Sequence, residues 1–174
     1  MNKASKALVY AENAYQWPEK LGVGKPYSVD ETVEDFVKAM ILDKMGRKKE
    51  AEVLYHKLTD NADITRGATS VNYLTVLAMS RLGLKAEAEK YFNSWIEQSR
   101  NKTMTEWAKL MNTNQKDKAA ALIRPDAPRT GENVPDYAVV QTAPSASQVT
   151  RGSAGRGDAD FELVNEIAQK YTGR

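Results

Sequence analysis

The chain has 174 residues and a formal net charge of +2, with 41% hydrophobic and 28% charged residues. This length suits one domain or two small ones, and the nearly balanced charge predicts no nucleic-acid partner. The chain contains no cysteine and a single histidine, His56. Disulfides, cysteine-ligated metal sites and a cysteine nucleophile are therefore excluded, and we expect no cofactor and no metal site.

No apolar run approaches the roughly 18 residues that a membrane-spanning helix needs. The first residues, MNKASK, are not followed by the apolar stretch of a secretory signal. We expect a soluble chain that is either cytoplasmic or cut from a longer precursor, and its compartment stays open.

The first predicted element is the second helix of an incomplete helical pair within residues 1–29. Proline disfavours helix at the residue before it, so Trp17-Pro18 should end this helix. The glycine-containing residues 20–27 then form a connector. The apolar positions of this first helix share helical spacing: Ala7, Leu8, Ala11, Ala14 and Tyr15.

An internal repeat follows. Residues 44–58 (KMGRKKEAEVLYHKL) and 81–95 (RLGLKAEAEKYFNSW) are identical at five of fifteen positions when offset by 37. This similarity predicts two units, 30–66 and 67–102, each a pair of antiparallel helices. Glycine accepts the left-handed conformation that ends a helix, so Gly46 and Gly83 should form the two turns.

The first unit should begin with Asp30 as the N-cap of a helix, and its second helix should bury Ala51 and Tyr55. Residues 103–124 predict a degenerate third unit, in which Asn114 replaces the turn glycine.

At Pro125 the composition changes. Residues 125–158 are rich in proline, glycine and serine and predict a loop or linker. Residues 159–174 predict a last, capping helix, with Asp160 as its N-cap. We expect this helix, through Phe161 and Ile167, and the apolar cluster 137–140 to pack against the repeats, because their apolar faces need cover.

The turn glycines, the small Ala51 and Ala88 and the aromatic Tyr55 and Phe92 resemble the tetratricopeptide repeat. The resemblance implies an all-α fold, a right-handed stack of antiparallel helix pairs. Asp35 stands where the family has an early tryptophan.

In this family the first helix of each pair lines a concave groove that binds peptides or partner helices. The resemblance therefore implies a non-catalytic scaffold, which binds a protein or peptide or its own C-terminal segment. Lys44 and Arg81 at equivalent places could receive an acidic partner. The groove positions that the family implies here are Phe36, Met40, Asp43, Lys44, Tyr73, Leu77, Ser80 and Arg81.

A second hypothesis stays open: the chain is the C-terminal helical part of a larger bacterial enzyme, for instance one that acts on carbohydrate, docked on a catalytic domain and without turnover of its own. Other motifs favour structural interpretations. The Gly22–Lys25 segment lacks the spacing of a phosphate loop, and His56 has no serine or carboxylate placed to make it a base.

Overall fold

The computed structural model describes residues 3–16, 30–62, 68–123 and 161–171. All regular structure within these ranges is helical, which confirms the all-α class. No helix in these ranges is long and apolar enough to cross a membrane. The helices are α1 (Lys3–Asn13), α2 (Thr32–Lys44), α3 (Lys48–Asp60), α4 (Asn72–Arg81), α5 (Lys85–Gln98), α6 (Lys102–Asn112), α7 (Lys116–Ala121) and α8 (Phe161–Lys170).

Three consecutive helix pairs share one turn geometry. Gly46, Gly83 and Asn114 have φ angles of 78°, 80° and 59°. After each of them the next backbone N–H returns to a carbonyl near the end of the preceding helix; for example, Arg47 N–H lies 2.9 Å from the Leu42 oxygen. This paired pattern is the Schellman motif, which satisfies carbonyls that the helix end leaves without partners. The conformation predicted for Asn114 is therefore present.

The short turns bring the helices of each pair into contact. The second helices begin two residues after the left-handed residue, and each buries an alanine at the same place: Ala51, Ala88 and Ala119. The absence of a bulky side chain there allows the two backbones to approach. Helix α2 packs on α3, α4 on α5 and α6 on α7, while α1 contacts α2, α3 contacts α4, and α2 contacts α4.

Two helix ends differ from the sequence prediction. Helix α1 ends at Asn13, before the predicted stop at Trp17-Pro18, and continues as a hydrogen-bonded turn to Gln16. Helix α2 begins at Thr32, and the Asp30 carboxylate accepts a hydrogen bond from the Thr32 N–H at 3.0 Å. Glu31 occupies the N-cap position and makes no side-chain cap bond. The carboxylate thus serves the first turn from one residue further out than expected.

The buried core is largely aromatic between α4, α5 and α6. Tyr73 lies within 5.1–6.5 Å, between ring centroids, of Phe92, Trp95 and Trp107. Such tilted and edge-on pairs stabilise beyond the area that they bury. The same core continues to the C-terminal helix, because the ring of Trp107 meets that of Phe161 edge-on at 5.1 Å.

Two buried polar side chains, on α2 and α4, are held by partners on neighbouring parts of the chain. Asp35 is buried, accepts a hydrogen bond from the Tyr15 hydroxyl at 2.8 Å and pairs with the Lys57 ammonium at 2.8 Å. At the equivalent position of α4, the Asn72 amide donates to the Tyr91 hydroxyl at 2.8 Å. A buried carboxylate or amide needs such partners to offset its lost hydration. These contacts join neighbouring helices.

Candidate ligand-binding face

The predicted groove residues lie on α2 and α4 and differ widely in exposure. Two are buried in the core, Phe36 and Tyr73. Lys44 and Ser80 are exposed. Met40, Asp43, Leu77 and Arg81 are half-buried. Only the last six can therefore touch a ligand without a rearrangement of the core.

A charge pair joins the two predicted lining helices. The Arg81 guanidinium bonds the Asp43 carboxylate, with Nη2 and Nε at 2.6 and 2.8 Å from Oδ2. Burial lowers the pKa of Arg81, but the hydrogen bond and charge of Asp43 outweigh it, so that the net pKa is raised. The pair places the predicted faces of α2 and α4 side by side. Arg81 therefore already holds a carboxylate of its own chain, whereas Lys44 is exposed.

The C-terminal end of α8 reaches this face. Tyr171, directly after α8, packs its ring against Phe36 with centroids 5.6 Å apart, and Phe36 in turn meets Tyr55 at 5.9 Å. Burial raises the pKa of the Tyr171 hydroxyl, while Arg81 lowers it and Asp43 raises it. The tyrosine therefore lies within electrostatic reach of the charge pair. Part of the predicted groove is filled by the protein's own tail.

Trp107 of α6 anchors the middle of α8. Its indole N–H donates to the Asn165 side-chain oxygen at 2.9 Å, and the indole is fully buried. The Asn165 oxygen also accepts from the Gln169 amide at 3.3 Å. Around these polar contacts α8 buries Val164, Ile167 and Ala168. The Phe161/Ile167 helix was expected to pack against the preceding helices. It does so, since α8 contacts α4 and Trp107 of α6.

Lys116, the first residue of α7, holds the end of α8. Its ammonium donates to three backbone oxygens, those of Gln169 and Tyr171 at 3.0 Å and that of Ala168 at 3.4 Å. The last carbonyls of a helix lack partners within the helix and carry partial negative charge, so a cation stabilises them. The Gln169 amide returns a hydrogen bond to the Lys116 carbonyl at 2.9 Å. We call the surface formed by Phe36, Tyr55, Trp107, Met111 and Lys116 the helix seat.

Sequence reasoning missed Lys116, Asn165 and the polar role of Trp107. The partners of Lys116 and Trp107 lie more than fifty residues further along the chain, and no motif connects them. The one signal available was α8 itself, an amphipathic helix with polar Asn165 and Gln169 one turn apart, beside its apolar positions.

The described ranges hold no group of three or more acidic or histidine side chains that could bind a metal ion. His56 is exposed. A shallow depression along the outer side of α5 is lined by Glu89, Lys90 and Asn93, among others. The Gly22–Lys25 segment, the apolar cluster 137–140 and Asp160 lie outside the described residues.

Compared with models of protein families, with curated proteins and with solved structures, the chain matches none.

Proposed function

We propose that this protein is a non-catalytic scaffold that binds a protein or peptide on the face formed by α2, α4 and α6. The helix pairs form a right-handed, tetratricopeptide-like stack in which these first helices line a concave surface. The three equivalent Schellman turns and the three equivalent buried alanines support that arrangement. The contact between α2 and α4 supports it as well.

The observation that carries the proposal is that this face already binds a helix. Helix α8, which follows the other helices only after residues 124–160, lies against α4 and α6 and reaches α2 through Tyr171. Docking of an amphipathic helix into an apolar groove is a recurrent mode of protein recognition. A face that accommodates one helix in this way has the shape and the polar groups to hold a ligand of the same kind.

The polar groups of this face support binding and not turnover. Asp43 and Arg81 satisfy each other, and the Ser80 hydroxyl donates to the Val76 carbonyl at 2.9 Å. A general acid or base must instead be placed to exchange a proton with a substrate. The half-buried Met40 and Leu77 and the exposed Lys44 remain as the contact surface for a ligand.

The test is selection of ligands from a displayed random-peptide library on the full chain, followed by measurement of Kd by fluorescence anisotropy. The double variant Leu77→Ala/Lys44→Ala should bind the selected peptides at least tenfold more weakly, a typical effect for a central contact. Val53→Ala/Lys49→Ala, which truncates one apolar side chain and one lysine at exposed positions of α3, is the matched control and should keep the wild-type Kd. Equal affinity of the wild type and the α2–α4 variant would reject this face as the site.

A further inference from the structure

Helix α8 is held by interactions that recognise a helix end and its spacing. Lys116 bonds main-chain oxygens, which every helix offers at its C-terminus. Trp107 bonds a side-chain oxygen one turn and a half before that end, and Phe36 packs on an aromatic ring just after it. Each contact sets a requirement that a helix from another protein can also meet.

Building on the proposed function, we propose that the helix seat binds the C-terminal end of an amphipathic helix from a partner protein, and that α8 is the resident competitor for it. The ligand carries an asparagine for Trp107, apolar residues at the places of Val164 and Ile167, and an aromatic residue directly after its last turn. Lys116 caps its final carbonyls.

The short length of α8 makes competition possible. It has 10 residues, and isolated helices shorter than about 12–15 residues are marginal in water. Its order therefore depends on the contacts with the seat, and release of α8 exposes the whole seat at once. Leu163 of α8 is 38% exposed even when docked, so α8 leaves one of its large apolar side chains incompletely covered. A partner helix that binds the same anchors more fully displaces it.

The contacts of the seat also fix the orientation in which a ligand helix binds. The three carbonyls at Lys116 fix where the ligand helix ends, and the ring contact between Phe161 and Trp107 fixes where it begins. Gln169 adds a second polar contact at the Lys116 carbonyl and lies 3.6 Å from the Met111 sulfur. A ligand helix must therefore enter in the orientation of α8, and a reversed helix leaves both the ammonium and the indole N–H without acceptors.

The first experiment uses the full chain and a fluorescein-labelled synthetic peptide of residues 160–174 as the probe. In the Val164→Asp chain, a carboxylate at a fully buried position releases the resident α8. The probe should bind this chain at least tenfold more tightly than the wild type, because a site that is mostly occupied binds a competitor with a proportionally higher apparent Kd. Equal binding of the probe to both chains would overturn the proposal.

A matched pair of lysines on α7 tests the seat itself. Adding Lys116→Met to the Val164→Asp chain should weaken probe binding at least tenfold. Adding Lys118→Met should leave it unchanged, because the Lys118 ammonium bonds Gln115 of its own turn and not α8. If both substitutions have the same effect, Lys116 does not recognise the helix end.

A second preparation covers loss of folding in Val164→Asp. A protease site inserted between residues 140 and 150 allows the wild-type chain to be cut, and native mass spectrometry then follows exchange of the C-terminal fragment for an isotope-labelled copy. Exchange supports the proposal, whereas a fragment that never exchanges from a folded cut chain overturns it. If the wild-type chain forms a dimer that Val164→Asp abolishes, the seat binds a second copy of the chain. That result would also overturn the proposal that the ligand is a helix of another protein.

The failure of this inference and that of the proposed function are distinguishable. If library peptides bind through Leu77 and Lys44 while the cut C-terminal fragment stays in place, the proposed function stands and competition with α8 is wrong. If no library peptide binds through Leu77 and Lys44 while the cut C-terminal fragment exchanges, the proposed function fails and the inference that α8 can be displaced from the seat stands.

Discussion

Two tyrosine hydroxyls, one half-buried and one buried, show how differently one chemical group contributes in two environments. Tyr15 donates to the buried Asp35 carboxylate at 2.8 Å. Tyr55 is 1% exposed, and its hydroxyl has no hydrogen-bond partner among the described residues. A hydrogen bond to a charged group stabilises the folded state. A buried hydroxyl without a partner destabilises it, because no hydrogen bond offsets its lost hydration.

We therefore predict opposite results for the same substitution. Tyr15→Phe should lower the free energy of unfolding by about 1–2 kcal/mol, because the buried Asp35 carboxylate then loses the hydrogen bond from the Tyr15 hydroxyl. Tyr55→Phe should leave this free energy unchanged or raise it by up to about 1 kcal/mol. Urea denaturation measures both. A larger loss in Tyr55→Phe than in Tyr15→Phe would show that the Tyr55 hydroxyl has a partner.

The Lys57 ammonium completes the same network. Burial lowers the pKa of Lys57, but the hydrogen bond and charge of Asp35 raise it, and the net pKa lies above its usual value. A raised lysine pKa contributes stability that is present below the ordinary pKa and is lost as pH rises through the folded one. The contribution of Lys57 to the contacts of α1, α2 and α3 is therefore fully present below its ordinary pKa of 10.5 and is lost as pH rises above that value.

At the scale of the element, the three turns are the part of the fold that local chemistry determines. A Cβ built on Gly46 or Gly83 meets no atom within 4 Å, so the cost of a side chain there comes from the backbone conformation alone. An L-residue in the left-handed region costs about 1–2 kcal/mol, and asparagine tolerates it better than most.

Substitutions at the third turn provide a matched test. Asn114→Ala should lower the free energy of unfolding by about 1 kcal/mol, and Asn114→Gly should raise it by about 0.5 kcal/mol. Asn112→Ala is the control, because Asn112 is exposed and helical, and alanine favours a helix. Thermal or urea unfolding gives the comparison. If Asn112→Ala destabilises as much as Asn114→Ala, the left-handed turn is not the cause.

These turns were predictable because glycine and asparagine adopt a positive φ more readily than other residues, so they indicate a left-handed turn from the local sequence alone. The seat of α8 was not, because the Trp107–Asn165 contact joins residues 58 positions apart and depends on where two separate helices meet. Of the predicted groove, the adjacency of α2 and α4 was implied by the resemblance to the tetratricopeptide repeat. That Phe36 and Tyr73 are buried did not, since an aromatic residue at such a position can equally face a ligand or a neighbouring ring.

At the scale of the whole molecule, buried tyrosines predict how stability depends on pH. Burial raises the pKa of Tyr55, of Tyr73 and of Tyr171 above the ordinary value of 10.0. Above pH 10 the unfolded chain releases these protons while the folded chain retains them. The unfolded state then binds fewer protons, so stability is fully present below about pH 10 and falls as pH rises above it.

We predict a decline of up to about 1.4 kcal/mol per pH unit for each fully buried tyrosine between pH 10 and 12. Urea unfolding at pH 9, 10, 11 and 12 measures the slope. Tyr73→Phe should make the slope shallower by one tyrosine's share. A Tyr73→Phe slope equal to that of the wild type would mean that the Tyr73 hydroxyl titrates in the folded protein.

We propose that the face of α2, α4 and α6 binds a helical ligand and that α8 occupies part of this face until the ligand arrives. Hydrogen–deuterium exchange of the full chain, with and without a peptide selected from the library, tests this most directly. We predict slower amide exchange in α2 and α4 and faster exchange in α8 when the peptide binds, with α5 unchanged. Slower exchange in α3 and α5, with α2, α4 and α8 unaffected, would contradict it.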